Sequence, residues 1–165
     1  MPALNLPVVE RIAIAVKNAL ADIRQAAGYG NNFTVRRRNV RGNAPEASQV
    51  AAGCVFAVMI QPSPRKLSEE NYETIWEQPF WIDLYVCPDE DNAEELDTRI
   101  NSARADCEYA LCNATNRIWG GLADDTKVDD PQPFQGPGLA HGIQVRIVIT
   151  YRHYVYEPRQ AVNDQ

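Results

Sequence analysis

Histidine is scarce in this chain: there are two in 165 residues, His141 and His153. His141 sits in Gly138-Leu139-Ala140-His141-Gly142, which reads as a loop entering the last strand. His153 sits in Tyr151-Arg152-His153-Tyr154, near that strand's end. Folding can bring any thiol to either ring, but no local sequence builds a Cys–His nucleophile pair, so both histidines read as surface or hydrogen-bonded residues. The four cysteines, Cys54, Cys87, Cys107 and Cys112, form no CxxC pair. Lacking metal-ligand spacing, they read as reduced and mostly buried thiols. Cys107 and Cys112 are five apart on a helix and do not share a face. Asp124-Asp125 and Asp129-Asp130 lack the ligand spacing and turn glycine of a calcium loop. No glycine-rich phosphate loop is present, because Gly28-Tyr29-Gly30 follows a helix instead of opening one. The segment Met1–Pro7 has no basic residue ahead of an apolar run, and the residues after it are interrupted by Glu10, Arg11 and Lys17, so no signal peptide is read there. No stretch approaches the ~20 apolar residues of a membrane-spanning helix. The expectation is a protein with no catalytic, metal or cofactor centre and no membrane contact.

What is present is an ordinary globular composition, 45% hydrophobic and 23% charged. A chain of this length favours one domain and buries roughly two-thirds of its unfolded surface, enough for a core without disulfide or metal. We place that domain at residues 1–158 and a flexible C-terminal tail at 159–165. The net charge of −6 hides an asymmetry: residues 1–67 hold nine Lys/Arg and three Asp/Glu, whereas residues 68–165 hold seven and nineteen. Two solvated faces of opposite sign would account for this. A self-complementary chain that docks head to tail would account for it equally. Arg36, Arg37, Arg38 and Arg41 are the strongest candidates for contact with a polyanion. The acidic pI of 4.9 favours ion pairing with an acidic neighbour over nucleic-acid binding.

Periodicity orders the elements. Val8, Ile12, Val16, Ala19, Leu20 and Ile23 line one stripe of a first helix, with Asn5 as cap, Pro7 in the first turn and Gly28 and Gly30 as stop. Strands are predicted at Phe33–Val40, Gly53–Ile60 and Pro79–Val86, with residues 42–48 as a turn region. In the third strand Phe80, Ile82, Leu84 and Val86 face one way, and Trp81, Asp83 and Tyr85 face the other. Pro62 to Gln78 reads as a long charged loop carrying Arg65, Lys66, Tyr72 and Trp76, suited to a partner contact. An exposed Trp76 would serve that role; a Trp76 folded back on the sheet edge would not. Residues 89–95 open a second helix whose stripe is Leu96, Ile100, Ala103, Cys107, Ala110 and Leu111. Asp124 to Gly138 reads as an acidic, proline-bearing connection. Ile143, Val145, Ile147, Ile149 and Tyr151 alternate along a last strand ended by Pro158. The predicted fold is α+β: four mainly antiparallel strands with two helices on one face, in the order α-β-β-β-α-β.

Four segments together resemble the tail terminator, or tail completion, proteins of long-tailed bacteriophages. They are the opening helix ending in Ala27-Gly28-Tyr29; Gln78-Pro79-Phe80-Trp81-Ile82-Asp83-Leu84-Tyr85-Val86; Ile118-Trp119-Gly120-Gly121-Leu122-Ala123-Asp124-Asp125-Thr126; and Val148-Ile149-Thr150-Tyr151-Arg152-His153 with Glu157-Pro158 behind. The resemblance spans most of the chain, and its order and spacing carry it. It implies a structural virion protein that forms a hexameric ring, caps the tail tube, ends its polymerisation and joins tail to head. The implied partners are copies of itself, the tail tube protein and a head-completion or neck protein, with DNA only as cargo passing the channel. The implied location is the tail–neck junction of the virion, and the host cytoplasm during assembly; no cofactor is implied. The interface candidates are Arg36, Arg37, Arg38, Arg41, Arg65, Lys66, Tyr72 and Trp76. Three alternatives remain at this point: another neck or head-closure component, a small hydrolase or nuclease built on Asp83, Glu108 or the histidines, and a host-directed binding module.

Overall fold

Two strands of fourteen residues, Glu73–Val86 and His141–Tyr154, pair antiparallel along their whole length, from Glu73 opposite Tyr154 to Val86 opposite His141. The computed structural model describes residues 6–38, 54–86, 93–135 and 141–163. In chain order its elements are α1 (Val8–Ala21), β1 (Asn32–Arg38), β2 (Cys54–Ile60), β3 (Arg65–Glu70), β4 (Glu73–Val86), α2 (Ala93–Cys112), β5 (Asp125–Gln135), β6 (His141–Tyr154) and β7 (Glu157–Ala161). Short 3₁₀ turns lie at Gln25–Ala27 and Trp119–Gly121.

The strands form one mixed sheet ordered β1-β2-β4-β6-β5, with β3 added to β4 and β7 to β6. β1 and β2 run parallel, and every other pair is antiparallel. β4 changes neighbour midway. Its first part, Glu73–Glu77, pairs with β3, and its later part, Trp81–Tyr85, pairs with β2. The break falls at Gln78 and Pro79, where proline has no N–H to donate to a flanking strand. Gln78 is fully buried there and fastens the connection between β2 and β3. Its Nε2 donates to the carbonyls of Pro62 and Pro79, both at 2.7 Å, and its Oε1 accepts from Gln61 Nε2 at 3.3 Å. The sheet therefore has a five-strand body and, at the other end, an arm of β3, β4, β6 and β7.

Both helices lie on one face of the body, as predicted. Val8, Ile12, Val16 and Leu20 of α1 and Ala103, Cys107, Ala110 and Leu111 of α2 are buried in the core. They meet Val55, Ala57 and Met59 of β2, Phe80, Ile82, Leu84 and Val86 of β4, and Ile143, Val145, Ile147 and Ile149 of β6. Burying each of these aliphatic side chains contributes roughly 1.5–3 kcal/mol. Pro7 occupies the N-cap of α1 without a side-chain cap bond, and the helix ends at Ala21. Gly28, at φ 91°, closes the following 3₁₀ turn instead of the helix. Asn5, Val40, residues 42–48 and residues 89–92 of the predicted second-helix start lie outside the described residues.

The predicted four-stranded sheet in the order α-β-β-β-α-β is incorrect: among the described residues the sheet has seven strands in mixed topology. Three misreadings account for the difference. Pro62–Gln78 is mostly a hairpin, β3 and the start of β4, not a loop. β3 is exposed at every position but Ser68, so no hydrophobic alternation marks it. Asp124–Gly138 contains β5. Its prolines fit an edge strand, and a register shift between Asp129 and Gln132 brackets Pro131. The tail assigned to 159–165 begins inside β7, whose Ala161 is 2% exposed and belongs to the core.

Gly142 fixes the crossing of β4, β5 and β6. A Cβ there would collide with the Leu84 carbonyl and lie 2.6 Å from the Phe134 ring. Neither the backbone nor the packed ring can yield cheaply, so Gly142→Ala should destabilise the fold by about 2 kcal/mol. Thermal or urea denaturation of the two proteins measures the difference.

Candidate functional site

The sheet face away from the helices combines arginine with aromatic side chains. β-alternation and the register bring Arg36, Val58, Asp83 and Gln144 into one row, and Thr34, Phe56, Tyr85 and Gly142 into the next. Phe56, Val58 and Tyr85 form a second, smaller cluster with Ile60 and Phe134. Arg36 lays its guanidinium 5.2 Å from the centre of the Phe56 ring, and Arg146 lies 5.4 Å over Trp81. Phe134 meets Tyr85 edge-on at 5.0 Å. Such cation–π contacts contribute about 0.5–1 kcal/mol at exposed positions and hold the guanidinium flat on the surface. Asp83, 7% exposed, accepts from Gln144 Nε2 at 2.7 Å, and Gln144 Oε1 in turn accepts from Arg146 Nε at 2.5 Å. No helix among the described residues packs on this face.

The candidate arginines divide by strand parity. Arg36 is on the open face. Arg37 turns to the helix side and clamps Glu10 of α1 with two bonds, Nη1–Oε1 at 2.6 Å and Nη2–Oε2 at 2.8 Å, while Nη2 also reaches Gln61 Oε1 at 2.5 Å. Arg37 is thus a tie between β1, α1 and the loop after β2. Arg38 closes β1 in register with Ile60. Arg41 lies outside the described residues.

Arg65 and Lys66 also find partners within the chain. Arg65 pairs with Glu77 across the β3–β4 ladder at 2.9 Å, and Lys66 pairs with Glu69 along β3. Trp76 is half-buried and packs against the core, stacked on His153 with ring centres 6.3 Å apart. Its indole N–H is buried without a hydrogen-bond partner among the described residues. Tyr72, by contrast, stands at the arm tip and is 73% exposed. The structure therefore separates the two aromatic residues expected on one partner-binding loop.

Two resemblance segments meet in space. Arg152 binds Asp124 in a fork, Nε–Oδ2 at 2.8 Å and Nη2–Oδ1 at 3.0 Å, and reaches Glu73 at 3.5 Å. Asn163 Nδ2 also donates to Asp124 Oδ1 at 2.8 Å. Trp119, Gly120 and Gly121 are three successive residues at positive φ, 50°, 66° and 88°. That turn drives the Trp119 indole inward, where its N–H donates to Thr126 Oγ1 at 2.8 Å.

The residues considered for hydrolysis are dispersed. Asp83 lies on the open face, and Glu108 pairs with Arg104 at 2.6 Å on α2. His141 opens β6 opposite Val86. His153 lies twelve residues along the same strand, roughly 40 Å away at ~3.3 Å per residue. His153 Nδ1 lies 2.9 Å from the Tyr154 carbonyl. Burial raises the Cys107 thiol well above its ordinary value and the Cys112 thiol to about 11, so both stay protonated and weakly nucleophilic at neutral pH. Among the described residues no group of three or more His, Cys, Asp or Glu is placed to hold a metal ion.

The period-two pattern alone sets Trp81, Asp83 and Tyr85 on the second face. It does not single out Tyr156, Arg146 or Phe56, since only the register joins them to that face or to the arm tip. No protein-family model matches the chain, and no curated protein sequence matches it.

The Arg37 hydrogen bonds hold the Glu10 carboxyl below the ordinary glutamate value. The contribution of this pair to stability is therefore complete above about pH 4.3 and is lost as the pH falls through the lower folded value. Both side chains are about one-third exposed, so the effect is screened to no more than about 1 kcal/mol. Glu10→Gln should remove that much at pH 7 and flatten the acid limb of stability between pH 5 and 3, as followed by urea titration at each pH.

Proposed function

We propose that this chain is a non-catalytic, ring-forming subunit of the phage tail-terminator type, which caps a tail tube and joins it to the head or neck. One observation carries this reading. A single chain presents two dissimilar surfaces: an arginine- and aromatic-bearing open face, and an arm ending in exposed tyrosines beside carboxylates. Dissimilar complementary patches on one chain are what heterologous contacts need, and such contacts close into rings when the rotation between copies permits. The charge asymmetry of the two sequence halves supports the same reading.

Within the arginine cluster Arg36, joined by Arg146 from β6, then faces a neighbour, whereas Arg37 is occupied by Glu10. A hexameric ring would present one rim to the tube protein and the other to a head-completion or neck protein, with DNA passing through the centre as cargo. The work is geometric and uses no cofactor. A head-closure role shares this chemistry and differs in partner. A hydrolase built on Asp83, Glu108 or the histidines would need groups that stand on different faces or far apart along a strand.

Native mass spectrometry at low salt should show a hexamer. Raising salt to about 1 M, where the screening length falls to ~3 Å, should shift the population towards monomer. Added to polymerising tail tube protein, the chain should shorten and cap the tubes. Binding to a portal or head-closure protein instead of tubes would assign it to another neck position. A monomer at every concentration, with no effect on tube length, would overturn the proposal.

A further inference from the structure

The arm ends in two turns that stand side by side. β3 and β4 join through Asn71-Tyr72, with Glu70 opposite Glu73; β6 and β7 join through Val155-Tyr156, with Tyr154 opposite Glu157. The Val155 N–H donates to the Tyr72 carbonyl at 2.8 Å and ties the turns together. The Tyr72 and Tyr156 rings stand 6.4 Å apart, tilted by 39°, and are 73% and 82% exposed. Between the turns opens a cleft of about 410 Å³ whose remaining walls are Glu69, Glu70, Asn71 and Val155. Across residues 67–73 and 153–158 every Asp, Glu, Lys or Arg is a glutamate: Glu69, Glu70, Glu73 and Glu157. Glu69 pairs with Lys66 and Glu73 with Arg152, whereas Glu70 and Glu157 make no ion pair among the described residues.

Local preferences oppose this arrangement. A two-residue hairpin turn with both φ values positive favours Asn-Gly. Asn71, at φ 51°, conforms; Tyr72, at φ 67°, takes the place of glycine. Glu70 and Glu73 set like charges directly opposite each other across the ladder, which is unfavourable. Tyr72 packs into no core that would compensate. Conflicts of this kind collect at positions kept for a contact outside the fold.

Two phenol rings flanked by free carboxylates suit a guanidinium, which the ring faces attract and the carboxylate can hydrogen-bond. The same chain offers one. Arg36 is exposed on the open face, its guanidinium carbon 5.2 Å from the centre of the Phe56 ring, with no ion pair among the described residues. We propose that the arm tip of one copy docks on the open face of the next, closing the Tyr72–Tyr156 cleft on Arg36. Charge complementarity selects this partner, and distance requires it to be a second copy. Asp83, in the same row as Arg36, lies eleven residues along β4 from Tyr72 (83 minus 72), roughly 36 Å at ~3.3 Å per residue. A tip therefore cannot reach its own Arg36. The contact is heterologous and, repeated, generates a ring. It rests on the self-assembly part of the function proposed above.

Sedimentation velocity on the full chain tests it. Glu70→Arg, Arg36→Glu, Tyr156→Ser and Tyr72→Gly should each raise the concentration of half-dissociation about tenfold or more. Tyr72→Gly should do so while its melting temperature stays level or rises, separating lost assembly from lost folding. Mixing the Glu70→Arg and Arg36→Glu proteins should restore the oligomer, because alternating copies match tip to face in both directions; the double variant should also recover. An oligomer indifferent to all four substitutions would overturn the docking proposal alone. Dissociation with rescue in neither the mixture nor the double variant would overturn the Arg36 pairing. A wild-type chain that is monomeric throughout would overturn both the docking and the assembly on which it rests.

Discussion

The β4–β6 ladder is the constraint on which the rest of the molecule depends. Fourteen consecutive pairs join the two strands, far more than the body of the sheet needs to carry two helices. The surplus becomes the arm. What separates body from arm is one buried amide beside one proline: Gln78 satisfies the carbonyls of Pro62 and Pro79, and Pro79 offers no N–H to a strand alongside. β2 can therefore leave β4 and β3 can take its place without an orphaned buried polar group.

Charge in this fold is sorted by what lies behind it. Arg37 and Arg152 each bind a carboxylate by two hydrogen bonds and tie distant segments of one chain: α1 to β1, and the turn after α2 to β6. Arg36 and Arg146 rest on aromatic rings instead. A guanidinium has five donors, so one held over a ring face keeps most of them for another molecule. The open face thus carries arginines already ordered for contact, and less conformational entropy remains to be lost when a partner arrives.

Strong periodicity was legible from the chain alone. The α1 stripe and the alternation in β4 and β6 each appear in the structure, because burial selects side chains at the period of the element. The edge strands were not legible. β3 has Leu67 as its one apolar residue and β5 carries prolines, so neither shows a hydrophobic alternation; both are strands because β4 and β6 offer them unpaired backbone. The C-terminal segment was misread for the same reason: Glu157–Ala161 pairs with the end of β6 although only Ala161 is buried.

By itself the sequence determined the apolar stripes of α1 and α2 and the alternation that divides β4 into a helix-facing and an open side, since these follow from local period and hydrophobicity. It also determined the opposite charges of its two halves. Tertiary structure alone decided which arginine is a tie and which is displayed. Strand alternation parts Arg36 from Arg37 in any fold; that Arg37 meets Glu10 of α1 and Arg36 rests on Phe56 follows from which face of β1 the helices cover. It alone brought Tyr72 and Tyr156 together, eighty-four residues apart in the chain, because pairing of the two longest strands sets their end turns side by side.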